Sequence, residues 1–269
     1  MIGFAETFGA VLATFLVPAF VGLLIVAAMA RYLKAKYLAA FAFGLYLWFF
    51  TDTIGDASLL GVSEGFTGGI LQVALWVVFL IGVISLFYVD RGLFFEGAEG
   101  VSLGFAIPIL VAIAVGIHGF GEGAGIGATA ATAPPGASLL DAFGGLTAGA
   151  AFVLHKTLEP MMVGAAYWIY AAGHAKNSSE RLRDILILTL AFTIPGIVGG
   201  ATAYYLIQVF PGADFTYVFA LGLGTSVYAA MRLARPLFLG AGSRMESTKV
   251  AILILIGFAC LYTAALLHS

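Results

Sequence analysis

Charge is scarce in this sequence: Asp, Glu, Lys and Arg make up 10% of its 269 residues, where a soluble domain carries about a quarter. That scarcity excludes a water-facing surface over most of the chain. The few charges nearly cancel, at a formal −2, and there is no dense basic patch, so nucleic acid is not an expected partner. Cysteine is scarcer still. Cys260 stands alone, which excludes an internal disulfide and a cysteine metal cluster, and its apolar surroundings read as packing. The first basic residue is Arg31. The N-terminal apolar run therefore lacks the basic start of a cleaved signal peptide and reads as a true first helix. The glycine-rich stretch at 116–127 has no G-K-[ST] ending, and no nucleotide-binding motif occurs elsewhere, which argues against ATP as an energy source.

What the chain has in abundance is apolar length. Hydrophobic residues make up 62% of it and the mean hydropathy is +1.07. Helices immersed in lipid need apolar residues on every face, and each crossing takes roughly 20 of them. The expected fold is all-α: a polytopic membrane protein, one transmembrane domain over 1–269, with about eight helices and the lipid bilayer as its first partner. Spans are expected near 6–30, 37–60, 66–89, 102–130, 141–172, 185–208, 215–239 and 248–267.

The basic residues test this division independently. Arg31, Lys34 and Lys36 follow the first span and Arg91 the third. Lys176, Arg181 and Arg183 follow the fifth, and Arg232, Arg235, Arg244 and Lys249 flank the junction after the seventh. The junctions after the second, fourth and sixth spans hold none. Eleven of the 12 basic residues therefore fall on one side, which the positive-inside rule makes cytoplasmic. Both termini are then extracytoplasmic, in a multi-pass protein of the cell membrane, and the sequon Asn177-Ser178-Ser179 lies inside and escapes glycosylation.

The remaining basic residue, Lys156, falls deep in the fifth span, and its surroundings are the informative ones. The fourth span reads VGIHGFGEGAGIG, with His118 and Glu122; the fifth reads FVLHKTLEPMM, with His155 and Glu159. Each pair is i, i+4, so its two side chains share one helix face. Two such faces brought together offer two imidazoles and two carboxylates, ordinary ligands for Zn²⁺ and non-haem Fe²⁺. Each ionisable group at mid-membrane costs roughly 2.5–3.5 kcal/mol on insertion scales. Retaining several close together points to groups that are paired or bind a divalent cation. Lys156 either pairs with Glu122 or Glu159, the favoured reading, or points away and snorkels. Asp52 and Asp56 in the second span, again i, i+4, either recruit cations at the outer entrance or contribute a ligand, or else form a hydrated helix end. Asp90 either assists exit at the inner end or is an interfacial charge beside Arg91. Met161 and Met162 read as packing, and His174 and His268 as surface residues.

These motifs resemble those of the ZIP (Zrt/Irt-like) divalent metal transporters. HGFGEGAGIG, residues 118–127, is similar to that family's fourth-helix H-x-x-x-E-G signature, and HKTLE, residues 155–159, to its fifth-helix H-x-x-x-E. The layout of about eight helices with outward termini is similar over the whole chain. The resemblance implies a metal site formed by His118, Glu122, His155 and Glu159, and inward transport of divalent transition-metal cations. Zn is the first choice and Fe the second, with Mn and Co open. It implies no prosthetic cofactor and no enzymatic activity, and it leaves room for a homodimer. Gly119 stands where many members have Asn, and Lys156 where many have Asn or Asp. Both changes remove oxygen ligands from a second metal position, and Lys156 adds a positive charge there. The alternative for the same residues is an intramembrane zinc-dependent hydrolase, with two His and one Glu on zinc and the other Glu activating water.

Topology is directly testable. With Cys260 replaced by Ser, a cysteine introduced at Ser138 is expected to react with a membrane-impermeant maleimide in intact cells, and one at Ser178 to stay unlabelled. The opposite pattern would invert the layout.

Overall fold

The computed structural model describes residues 1–56, 69–93, 104–174, 176–213, 215–238 and 244–266. The chain is helical throughout: α1 (Phe4–Met29), α2 (Ala35–Asp56), α3 (Gly69–Leu93), α4 (Ala106–Thr132), the single turn α5 (Leu139–Ala142), α6 (Leu146–Ala171), α7 (Ser178–Val209), α8 (Thr216–Phe238) and α9 (Arg244–Leu266). No strand occurs among the described residues. Seven of these helices, α1–α4 and α7–α9, are long and apolar enough to cross a membrane. The protein is thus a polytopic helical membrane protein. The remaining long helix, α6, has the length of a crossing (26 residues) but not the apolarity, because it carries His155, Lys156 and Glu159.

Packing nevertheless makes α6 traverse the bundle. On α1 and α6, Phe15 lies against Phe152 (ring centroids 5.8 Å apart) and Gly164 lies against Leu23 and Val26, so the two run parallel. Trp48 against Tyr262 (4.7 Å) and Lys36 against Glu246 (3.2 Å) make α2 and α9 parallel. Phe87 against Tyr228 and Gly82 against Leu221 do the same for α3 and α8. On α4 and α7, Gly116 meets Ala191, Gly123 meets Gly196 and Gly127 meets Gly200. The one long helix between α4 and α7 in sequence is α6. Two parallel neighbours need a full return between them, and α6 supplies it.

The α4–α7 seam is the most extensive of these. A Cβ at Gly123 would land on the Gly196 carbonyl oxygen, and one at Gly127 on that of Gly200. Backbones this close exchange dispersion contacts that larger side chains would forbid, which is how helices associate where lipid is as apolar as leucine. The seam holds α4, and with it His118 and Glu122, against α7.

One end of the bundle is tied by charge. The buried Asp184 of α7 pairs with Lys176, accepts from the Tyr167 hydroxyl of α6 at 3.3 Å and lies 3.6 Å from Arg183. Asp90 of α3 is also buried. It accepts from the Tyr228 hydroxyl of α8 at 2.5 Å and lies 3.1 Å from Arg232. Asp90, read from the sequence as either an exit residue or an interfacial charge, is thus a buried strut between α3 and α8; the side chain of Arg91 lies outside the described residues. Lys36–Glu246 joins α2 to α9 at this same end, half-exposed and so of small energetic weight.

Several predicted boundaries move for physical reasons. The fifth span does not begin at 141. Gly144 (φ 77°) and Gly145 (φ 100°) occupy the left-handed region, which ends α5 and restarts the chain as α6 at Leu146. Ahead of that break the Ser138 backbone N–H and hydroxyl donate to Asp141, which holds its carboxyl below the usual carboxylate range. The sixth span begins seven residues earlier than the apolar run, at Ser178. Asn177 caps it by accepting from the Glu180 N–H at 2.9 Å, and Glu180 returns the bond to the Asn177 N–H, a reciprocal capping box. The last span likewise starts at Arg244, before 248. Residues 57–60 of the second span, 66–68 of the third, 102–103 of the fourth, 239 of the seventh and 267 of the last lie outside the described residues, as does His268.

Replacing Gly123 by Val is expected to wedge α4 from α7 at a cost of about 1–3 kcal/mol, read as a lowered Tm in detergent. Gly125→Ala, whose new methyl would meet open space, should hold or slightly raise the Tm, because alanine is the better helix former. A Gly123→Val protein that melts with the parent would mean that the seam does not bear this load.

Candidate metal centre

Three helices converge on the polar groups that the sequence singles out. His118 and Glu122 lie one turn apart on α4, His155, Lys156 and Glu159 on α6, and Asp52 near the end of α2. The groups join in a single chain of contacts. His118 Nε2 stands 3.8 Å from Glu122 Oε1, and Glu122 Oε2 pairs with the Lys156 ammonium. Lys156 also donates to Glu159 Oε2 at 2.5 Å. Glu159 Oε1 is 3.0 Å from His155 Nε2, and that nitrogen lies 3.8 Å from Asp52 Oδ2. Lys156 and Glu159 are 0% exposed and His118 1%, so these charges are compensated by one another rather than by water.

Lys156 therefore does not snorkel. Its ammonium bridges both carboxylates rather than one, and it lies 5.3 Å from the ring centre of Phe15, 5.7 Å from Phe152 and 6.0 Å from Phe192. The π faces add favourable electrostatics on the sides that the carboxylates leave open. Position 119 faces the same space. A Cβ there would come 3.2 Å from the Phe15 ring and 3.8 Å from Glu122 Oε2, so its glycine leaves the Phe15 ring where a longer polar residue would reach the carboxylate.

One donor atom each from His118, Glu122 and Glu159 falls within 4.8 Å of the others, one imidazole nitrogen and two carboxylate oxygens. Donors to a single Zn²⁺ at about 2.0–2.2 Å stand at most about 4.4 Å apart, close to the spacing of this group. His155, expected as a further ligand, has its Nε2 beside Glu159 Oε1 and Asp52 Oδ2, outside that set of three. A shared helix face sets which way a side chain starts, not which partner its ring reaches. Asp52 is the second-span carboxylate that joins the cluster. Asp56 ends α2, and its side chain lies outside the described residues. Asp90 belongs to the α3–α8 strut. Met161 and Met162 are buried in the apolar core, His174 is exposed, and Cys260 packs against the core.

A cavity of about 830 Å³ leads to this cluster from the end of the bundle opposite the charge struts. Asp52, Glu122 and His155 line it, with Phe143, Phe152 and Phe219. His118, Lys156 and Glu159 lie behind that lining. The sequence reading missed the aromatic cage of Lys156 and also Thr53, whose hydroxyl oxygen stands 3.3 Å from His118 Nδ1. Phenylalanine and threonine are so ordinary in membrane helices that nothing in one sequence marks them. Compared with known proteins, the chain matches no family model and no curated protein.

Removing the ammonium leaves two buried carboxylates facing each other. Lys156→Met is expected to destabilise the metal-free protein by about 3–5 kcal/mol, the usual result of breaking a buried pair, and adding Glu122→Gln should recover much of the loss. A thermal-shift double-mutant cycle checks this. Additive losses from the two changes would mean that Lys156 and Glu122 are not coupled.

Proposed function

We propose that the protein is a ZIP-like transporter that carries divalent transition-metal cations across the membrane into the cytoplasm, with α6 as the eighth crossing and both termini outside. The observation that carries this reading is the convergence of His118, Glu122 and Glu159 in the interior, at the foot of a cavity lined by Asp52, Glu122 and His155. In their ordinary charge states the three carboxylates and the one ammonium leave two net negative charges, which match a divalent cation. An imidazole nitrogen with carboxylate oxygens suits Zn²⁺ first and Fe²⁺ next, and accepts Mn²⁺ or Co²⁺. Glu122 and His155, which line the cavity, meet an incoming ion first; His118 and Glu159 complete its coordination deeper in. Such a site must replace enough water to select the ion and release it again, and exposure to alternate sides completes the cycle.

Lys156 limits the site to one ion. Its ammonium sits between the two carboxylates that a second cation would share, and Gly119 offers no oxygen there. Positive charge at that point repels another cation and lowers the cost of holding two carboxylates together.

Flux into proteoliposomes tests the reading. Purified protein without nucleotide is expected to move Zn²⁺, and more weakly Fe²⁺, while His118→Ala and Glu122→Gln each lose about tenfold or more of the rate with normal insertion. Equal flux through all three proteins would refute the site. Peptide or ester hydrolysis with no flux would favour the intramembrane hydrolase.

A further inference from the structure

We infer that Thr53 of α2 is a positioning residue that fixes the tautomer of His118, so that the nitrogen facing the carboxylates is the one with a free lone pair. The inference rests on the metal site proposed above and concerns how that site is kept able to bind.

The geometry works through a single hydrogen atom. The Thr53 hydroxyl donates to the Phe49 carbonyl oxygen, four residues back, at 2.7 Å. This is the common back-bond of threonine in a helix. A hydroxyl has one proton to give, and here it is given to the backbone. The same oxygen stands 3.3 Å from His118 Nδ1, in a buried setting. It meets that nitrogen only as an acceptor, so Nδ1 carries the proton. In a neutral imidazole the other nitrogen is then bare. That nitrogen, Nε2, faces Glu122 Oε1 at 3.8 Å. The distance is too long for a hydrogen bond and fits two electron-rich atoms with room for a cation near both.

The opposite tautomer would give a different protein. With Nδ1 bare, Nε2–H would point at Glu122, and the pair would close into a structural hydrogen bond with no lone pair for a metal. The aromatic neighbours do not choose between these states. Phe49 and Phe219 flank the imidazole with ring centres 4.7 and 5.4 Å away, which orients its plane but offers neither nitrogen a lone pair. Thr53 is 0% exposed, so water does not substitute for it. Metal-bound histidines are commonly held this way by a partner on the other ring nitrogen, and losing that partner costs about 10–100-fold in affinity.

The test uses ¹⁵N-histidine-labelled full-length protein in lipid nanodiscs without metal. The chain has four histidines, so the His118 signals are assigned by their loss in His118→Gln. The wild-type spectrum is expected to show His118 as the Nδ1–H tautomer, and Thr53→Ser to keep it. Thr53→Val preserves shape but removes the acceptor, and is expected to shift His118 towards Nε2–H. Zinc titration of the same samples should show affinity weakened about 10–100-fold in Thr53→Val and close to wild type in Thr53→Ser. An Nε2–H or doubly protonated His118 in the wild type overturns the inference, whether or not Thr53→Val folds. So does a Thr53→Val protein with unchanged tautomer and affinity. If the wild type shows Nδ1–H but binds no zinc, the metal reading falls while the tautomer assignment stands.

Discussion

A lysine ammonium buried between two glutamates, inside helices that face lipid, is the interaction on which the rest of this structure depends. An isolated charge there is far too costly, and even a pair gains little unless its geometry is good and every remaining donor finds a partner. Lys156 meets those terms through Glu122, Glu159 and three aromatic rings. In return it allows two carboxylates to lie close together at a depth where mutual repulsion would otherwise protonate one of them or part the helices. The His118, Glu122 and Glu159 group exists because this internal cation holds it together.

That arrangement makes demands on the backbone. Glu122 comes from α4 and Lys156 from α6, so the two helices must keep their relative depth to within a fraction of a helical turn. The glycine seam fixes α4 on α7, the Phe15–Phe152 contact and Gly164 fix α6 on α1, and the charge struts tie the opposite end. Lys36–Glu246 contributes little to this, being half in water. Asp184 and Asp90 contribute more, because both are buried and each accepts from a tyrosine hydroxyl as well as lying beside a cation. The apolar end-to-end length of the helices decides that the chain enters a membrane. These few polar contacts decide how it packs once there.

Much of this was legible in the sequence, and the limits have physical causes. Apolar runs located the long helices because lipid imposes that pattern on every face. They failed at Gly144-Gly145, where a backbone break costs no hydrophobicity, and at Ser178, where a capping box carries α7 out beyond the apolar run. The i, i+4 spacing put His118 with Glu122 and His155 with Glu159 on shared faces. It did not show that Lys156 would bridge both glutamates or that His155 would turn towards Asp52, since those outcomes depend on depth and rotamer between helices. Asp90 looked like an interfacial charge until α8 brought Tyr228 and Arg232 to it. Thr53 was invisible because its role lies in a contact with a helix 65 positions away in sequence.

The central claim is that the interior donor group holds one divalent cation beside a lysine that stands in for a second. Anomalous scattering at the zinc edge, from crystals grown over a series of zinc concentrations, tests it most directly. The expected result is one intramembrane peak bounded by His118, Glu122 and Glu159, saturating at a single ion per chain. No peak at saturating zinc, or two fully occupied peaks about 3.5–4 Å apart bridged by the glutamates, would contradict it.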